Sequence, residues 1–218
     1  MKKTPVEEHF DSIAGRYDRY TSRRDLHYST LKNLLNKLIG KRKRVLEIGC
    51  GTGDLLAAIS PAYGLGYDLS GEMIKIASRK YKSKKNLKFT NKFPKEKFDY
   101  IFMSDVIEHL EDRGAMFNKI SDLMTSKSVF VNTMMNPVWE PIESLYSFLG
   151  LKMPEGPHER IGNGDIKKLA RESDLKIINH DYTLLMPIKI PFYKFINKYL
   201  GPKLKKLSFI EYFVFAKV

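Results

Sequence analysis

The run Val45-Leu46-Glu47-Ile48-Gly49-Cys50-Gly51-Thr52-Gly53 sets three glycines at alternate positions directly behind a short apolar segment. Glycines there let the chain reverse tightly and bring its backbone within contact distance of a ligand, which side chains would block. DLLAAIS continues as a helix, so a helix amino terminus faces the same ligand. Asp68 ends the next apolar segment, where a carboxylate can accept hydrogen bonds from both hydroxyls of a ribose. The turn is not a P-loop, since no Gly-Lys-Ser/Thr follows, and the third glycine of the dinucleotide fingerprint GxGxxG would fall on Asp54. Cys50 is the single cysteine, which excludes an internal disulfide and a multi-cysteine zinc site. Its place inside the turn is explained by its small size rather than by a nucleophilic role.

These residues need a scaffold, and the pattern supplies one. Val6 to about Ile39 reads as a helical leader, with Leu31, Leu34, Leu35 and Leu38 recurring at spacings of three and four. Strands are expected at Val45–Ile48, Leu65–Leu69, Leu87–Thr90, Phe98–Met103, Val129–Met134, Leu175–Leu184 and Glu211–Lys217. Helices are expected after Gly53, over Gly71–Tyr81, Arg113–Met124 and Asp165–Ser173. Alternation of this kind demands a mostly parallel sheet with helices on both faces. The chain is expected to be a single domain over 1–218, with a helical leader at 1–43 and cap inserts at 136–162 and 186–208. In the first insert Pro141 starts a helix with Ile142, Leu145, Tyr146 and Leu149 on one face, closed by Gly150. In the second Pro191 starts a helix with Phe192, Phe195, Ile196, Tyr199 and Leu200 on one face, stopped by Gly201-Pro202. Both inserts leave the carboxyl edge of the sheet, where open α/β sheets bind ligands.

Composition narrows the class. At 218 residues, with 43% hydrophobic and 29% charged residues, the chain has enough apolar material for a packed core and is neither disordered nor fibrous. No stretch approaches the 18 uncharged apolar residues of a membrane span, and MKKTPVEEHF moves straight into acidic residues where a signal peptide needs an apolar run. The expectation is a cytoplasmic protein. The formal charge of +13 is clustered: six basic and no acidic residues lie in Lys32–Arg44, ten against Glu96 alone in Lys75–Lys97, and six lysines without an acid in Tyr182–Ile210. Such clusters fit a solvated lysine-rich surface, a nucleic-acid footprint or peripheral contact with an anionic membrane.

VLEIGCGTG, GYDLSGEMI and FDYIFMSDVIEHL, in this order and spacing, resemble the first, second and fourth-strand motifs of the class I S-adenosylmethionine-dependent methyltransferases, over roughly Arg44 to Val131. HFDSIAGRYDRY is similar to the leader helix of the ubiquinone and menaquinone type, and PHERIGNGDIKKLARESDL to that group's segment before strand six. The resemblance implies a Rossmann-like α/β fold, a doubly wound sheet of seven strands with six parallel and the last antiparallel, with S-adenosylmethionine as cofactor and S-adenosylhomocysteine as product. It implies that Gly49, Cys50, Gly51 and Gly53 cradle the methionine part, that Glu47 holds the loop or the amino group, and that Asp68 takes the ribose hydroxyls. Leu69 and Met73 would pack the adenine, Tyr17 would close over the cofactor, and Asn91 stands where the family often has an acidic residue for the adenine amine. Ser104 and Asp105 would lie beside the sulfonium. Methyl transfer needs positioning above all, and a base only when the acceptor must lose a proton. His109 and His158 are the candidate catalytic bases. Asp105, Glu108 and His109 resemble a divalent-metal cluster of some ubiquinone-pathway O-methyltransferases, with Asp in place of Glu; no metal is assigned.

The expected acceptor is a small or lipid-like molecule, quinone-like or prenyl-linked, because both inserts present apolar, aromatic faces and the second is basic on its other side. An RNA methyltransferase is the alternative that the charge supports, although no appended RNA-binding domain and no Asn-Pro-Pro-Tyr signature is present. A non-catalytic S-adenosylmethionine-binding module is the second alternative.

Overall fold

The computed structural model describes residues 3–142, 144, 156–159 and 161–218. Helix α1 (Pro5–Arg23) begins under a Thr4 cap and is followed by α2 (Asp25–Leu38). The sheet elements are β1 (Arg44–Ile48), β2 (Tyr63–Tyr67), β3 (Leu87–Thr90), β4 (Tyr100–Ser104), β5 (Val129–Met135), β6 (Leu175–Thr183) and β7 (Ile210–Lys217). Between them run α3 (Asp54–Ile59), α4 (Gly71–Lys80), α5 (Arg113–Asp122) and α6 (Asn163–Glu172). The strand order is β3-β2-β1-β4-β5-β7-β6, with β7 antiparallel to both neighbours and the other six strands running one way. This is the Rossmann-like doubly wound sheet, and its direction of winding reverses between β1 and β4.

Buried on both faces, the central strands read as nearly continuous apolar runs. On one face Leu46, Ile48, Ile101, Met103, Phe130 and Phe215 meet Phe117 and Ile120 of α5 and Ile166 and Ala170 of α6. On the other, Val45, Phe102, Val131 and Val214 meet Leu31 and Leu35 of α2 and Leu55 and Leu56 of α3. The ring of Phe117 stands edge-on to Phe130 and Phe215, which stack on each other at 5.0 Å. Truncating one such buried ring to alanine costs about 3–5 kcal/mol. Helix α1 lies apart, packing Ile13 and Ala14 on Met73 of α4.

Several boundaries differ from expectation. Strand β2 starts two residues early and ends at Tyr67, so Asp68 and Leu69 lie beyond it, because Gly49 N–H and Cys50 N–H both bond Tyr67 O and close the ladder there. Strand β4 is displaced two residues later at its start and ends at Ser104, and α5 ends at Asp122. In the first insert a 3-10 turn, Pro137–Trp139, precedes the helical residues, so the chain is already helical at Glu140, before Pro141; the rest of the expected helix, with Leu145, Tyr146, Leu149 and Gly150, falls outside the described residues. In the second insert the expected helix from Pro191 is broken. A three-residue turn, Tyr193–Phe195, passes into a π-helical turn, Ile196–Leu200, where Gly201 N–H reaches back to Ile196 O. Phe192, just ahead of it, is left-handed at φ 65°, which a continuing helix forbids.

Candidate active site

The carboxyl ends of β1 and β4 lie side by side at the winding reversal, and each carries a strained turn. After β1, Gly49 has φ 70° and a Cβ there would stand 2.3 Å from Val106, so a side chain is excluded by conformation and by space together. Gly51 has φ 50°, and a Cβ on it would press on the Tyr17 ring at 3.3 Å. Gly53 N–H closes the turn on Cys50 O at 2.8 Å and leads into α3. Asp68 fixes the turn from β2: its carboxylate accepts from Gly51 N–H at 2.7 Å and from Ser70 N–H at 2.9 Å. Each oxygen keeps a further lone pair for a ligand hydroxyl. Burial pushes the Asp68 carboxyl up, opposed by those two N–H donors.

Glu47 is buried and accepts from Leu56 N–H at 3.0 Å, so it ties β1 to the first turn of α3; burial raises its carboxyl well above the usual range. Burial likewise pushes the Cys50 thiol well up, and its sulfur lies against Gly66 of β2. A neutral, enclosed thiol is inert.

After β4, Asp105 is left-handed at φ 55°, rare for a residue with a side chain and a form of strain that clusters at functional positions. Its backbone N–H bonds Thr133 O at 3.0 Å, and its Oδ2 meets His27 Nε2 of α2 at 2.7 Å. Burial alone raises the Asp105 carboxyl, but the His27 partner outweighs it and holds the group below the ordinary carboxylate range. The His27 ring is 2% exposed and edge-on to Tyr28 and Phe209. Ser104 Oγ beside Asp105 is buried without a partner.

A narrow cavity of about 40 Å³ lies between these parts, lined by Glu47, Gly49, Cys50, Ser104 and Asp105 below and by Tyr17, Thr21 and Tyr28 of the leader above. The leader is latched over it, with Thr52 Oγ1 donating to Asp18 Oδ1 at 2.6 Å and Lys80 bridging Asp18 and Asp54 at 2.7 and 2.6 Å. The residues fit a sulfonium cofactor: the Asp105 carboxylate, the unpartnered Ser104 hydroxyl and the glycine backbone, held from behind by Asp68, meet at a cradle that a Cβ would fill.

The other expected residues spread outward from this centre. Leu69 and Asn91 are exposed past β2 and β3, whereas Met73 is buried beneath α1. His109 lies in a 3-10 turn, Ile107–His109, with Nδ1 on Pro157 O at 2.9 Å. His158 follows on the returning insert, and the two rings stand 6.3 Å apart, with Phe10 of α1 edge-on to His109 at 5.3 Å. Arg113 clamps this corner, donating to Ile107 O and Glu159 O. Among the described residues no group of three or more His, Cys, Asp or Glu side chains is placed to hold a metal ion.

Reading the sequence missed His27 and Asp18. His27 had a signal: with Leu31 and Leu35 it lies on the buried stripe of α2, and a polar residue on such a stripe needs a partner. Asp18 had none, since a carboxylate on a charged leader helix looks like any solvated one.

A family model described as a methyltransferase domain matches residues 19–180. The chain belongs to that family. It is a methyltransferase on the fold that solved S-adenosylmethionine-dependent methyltransferases share. The methyltransferase is 23% identical over 163 residues to a demethylmenaquinone methyltransferase of Staphylococcus saprophyticus, covering 66% of this chain and 70% of that one. It is 26% identical over 202 residues to malonyl-[acyl-carrier protein] O-methyltransferase 1 of Ilyobacter polytropus, covering 81% of this chain and 72% of that one. For other curated relatives the match spans about half of the relative's length. Among solved structures, magnesium protoporphyrin IX methyltransferase of Synechocystis, with bound S-adenosylhomocysteine, superposes with a TM-score of 0.68 at 18% identity over 98% of both chains.

Proposed function

We propose that this methyltransferase acts on a small, lipid-like acceptor, quinone-like or prenyl-linked. The observation that carries the reading is the state of the carboxyl edge beyond β5 and β6, where Val138, Ile142, Ile188 and Ile190 stand exposed beside the cofactor cavity's end of the sheet rather than closing on a core. Similarity to a curated demethylmenaquinone methyltransferase supports an acceptor of this class.

S-adenosylmethionine supplies the electrophilic methyl group when bound. Asp68 takes the ribose hydroxyls on its free lone pairs, while the N–H groups and carbonyls of Gly49, Cys50, Gly51 and Gly53 line the methionine part. Glu47 holds the loop rigid from behind, and Tyr17 covers it. Leu69, Met73 and Asn91 form the adenine side. At the tip of β4 the ionised Asp105, fixed by His27, and the hydroxyl of Ser104 favour a cationic sulfonium, because opposite charge nearby stabilises it in a site shielded from water. If the acceptor is a phenol or enol, His109 or His158 accepts its proton at a ring nitrogen as the displacement proceeds in line.

Extract incubated with enzyme and cofactor labelled in the methyl group tests the acceptor class. Label in the organic-soluble fraction is expected. Label confined to RNA, which the +13 charge would favour, or to polar metabolites would replace the lipid-like reading.

A further inference from the structure

The loop from Leu184 to Phe209, between β6 and β7, is anchored at several points. Asn197 accepts from Met186 N–H at 2.8 Å and donates to Met186 O at 3.0 Å. Trp139 Nε1 donates to Leu207 O at 2.7 Å, and Asn136 Nδ2 to Lys206 O and Ser208 O at 2.9 Å each. A loop held this firmly could turn its apolar side chains inward. It does the opposite. Of the thirteen large apolar side chains exposed among the described residues, eight lie between Ile188 and Leu207. Phe192 is 81% exposed, Phe195 57% and Tyr199 51%, and the rings of the last two touch at 4.8 Å. Phe192 also has a positive φ, as does the buried Leu184 at the start of the loop, and at Phe192 strain and exposure coincide.

Charge decides what such a surface fits. Residues 182–210 contain six lysines and no acid. Lys189 pairs with Asp25, and Lys205 with Asp181 at 2.8 Å. Among the described residues Lys194, Lys198, Lys203 and Lys206 have no carboxylate partner. A second copy of the chain would set lysine against lysine, which opposes association. A nucleic acid would use the lysines and the aromatic rings but leave Ile188, Ile190, Leu204 and Leu207 in water. Aromatic and aliphatic side chains interleaved with lysine match the boundary of an anionic bilayer, where rings and methylenes enter the headgroup level and ammonium groups meet phosphates.

We propose that this loop is a membrane-docking surface, in which Phe192, Phe195 and Tyr199 insert into an anionic lipid interface and Lys194, Lys198, Lys203 and Lys206 contact its phosphates. Attachment is peripheral, since no helix among the described residues is long and apolar enough to cross a membrane. The loop leaves the carboxyl end of β6, the sheet edge that carries the glycine turn and Asp105, so docking turns that edge toward the lipid. Delivery of an acceptor from the bilayer rests on the lipid-like reading above; binding to the bilayer does not.

Flotation of the full chain with phosphatidylcholine vesicles, with or without phosphatidylglycerol, separates the two. Binding should appear on the anionic vesicles, weaken as salt rises, and fall about fivefold for each lysine changed in Lys194→Gln, Lys198→Gln, Lys203→Gln and Lys206→Gln. Phe192→Asn with Phe195→Gln, asparagine being tolerant of a positive φ, should cost at least about tenfold. Cofactor affinity by calorimetry and the unfolding midpoint should stay at parent values in both variants. No binding to anionic vesicles, equal binding to neutral ones, or indifference to the phenylalanine changes overturns the proposal. So does a dimer that Phe192→Asn dissociates, or RNA retention that competes with the vesicles and ignores the phenylalanines. Vesicle binding with label found only in polar products would leave the docking surface standing and remove the lipid-like acceptor instead.

Discussion

Replacing His27 by phenylalanine isolates one interaction at the mouth of the site. The ring volume and the edge-on contacts with Tyr28 and Phe209 are kept, and the 2.7 Å bond to Asp105 is lost. Removing one partner of a buried pair costs about 3–5 kcal/mol when the remaining charge is stranded. The Asp105 side chain is 27% exposed and opens on the cavity, so water can solvate part of its charge, and the expected loss near pH 7 is about 2 kcal/mol. For a chain of this size that lowers the melting midpoint by about 4–8 °C. The pH dependence carries the sharper test. In the parent His27 holds the Asp105 carboxyl below its ordinary value, so its contribution is complete above the unfolded carboxyl pKa, about 4, and is lost as pH falls through the lower folded value. In the variant burial acts on Asp105 with only the charges of Arg24 and His109 against it, so its carboxyl lies higher than in the parent and the charged form adds less stability. The difference between the two proteins, measured by urea unfolding, should therefore shrink as pH is taken from neutral toward about 3. His27→Gln, which keeps an N–H donor, should restore part of it. A gap below about 0.5 kcal/mol at neutral pH, or one of equal size in acid, would refute the reasoning.

Asp68→Ala should weaken S-adenosylmethionine affinity by about 1–3 kcal/mol in calorimetry, the cost of losing hydrogen bonds to a charged acceptor. In the parent that affinity should decline as pH falls through the Asp68 carboxyl, which burial raises above the usual range. Gly49→Ala should abolish cofactor binding, since its Cβ would stand 2.3 Å from Val106 at φ 70°. Adding Val106→Ala should relieve the clash but not the conformation, so stability recovers in part and binding does not. His180→Ala removes the 2.6 Å partner of Glu211, 1% exposed, and leaves it the Tyr182 hydroxyl, so it should cost about 1–3 kcal/mol in urea unfolding, with a further loss when Tyr182→Phe is added.

Much of the scaffold was legible because it depends on local rules. The β1 turn needs glycine at positive φ, the strand that follows ends near an acid, and strand and helix periods alternate; each is a short-range demand that a residue type either meets or fails. Even the antiparallel last strand follows from the chain's order of elements through its resemblance to a known fold. The end of β2 was misplaced by two residues and that of β4 by one, because hydrogen bonds from Gly49, Cys50 and Asp105 to other strands, not their own side chains, terminate the ladders.

What the sequence alone determined is the glycine turn, Asp68 and the winding that puts them at one edge of a parallel sheet. Tertiary structure alone decided that His27, 78 residues before Asp105, fixes that carboxylate, that Asp18 latches the leader to Thr52, and that Glu211 is buried against His180. It also decided that the amphipathic pattern of residues 192–200 stays open to solvent. Periodicity states that a segment has an apolar face; only the packed chain states whether anything covers it, because burial is settled by the elements that arrive from elsewhere and by the room they leave.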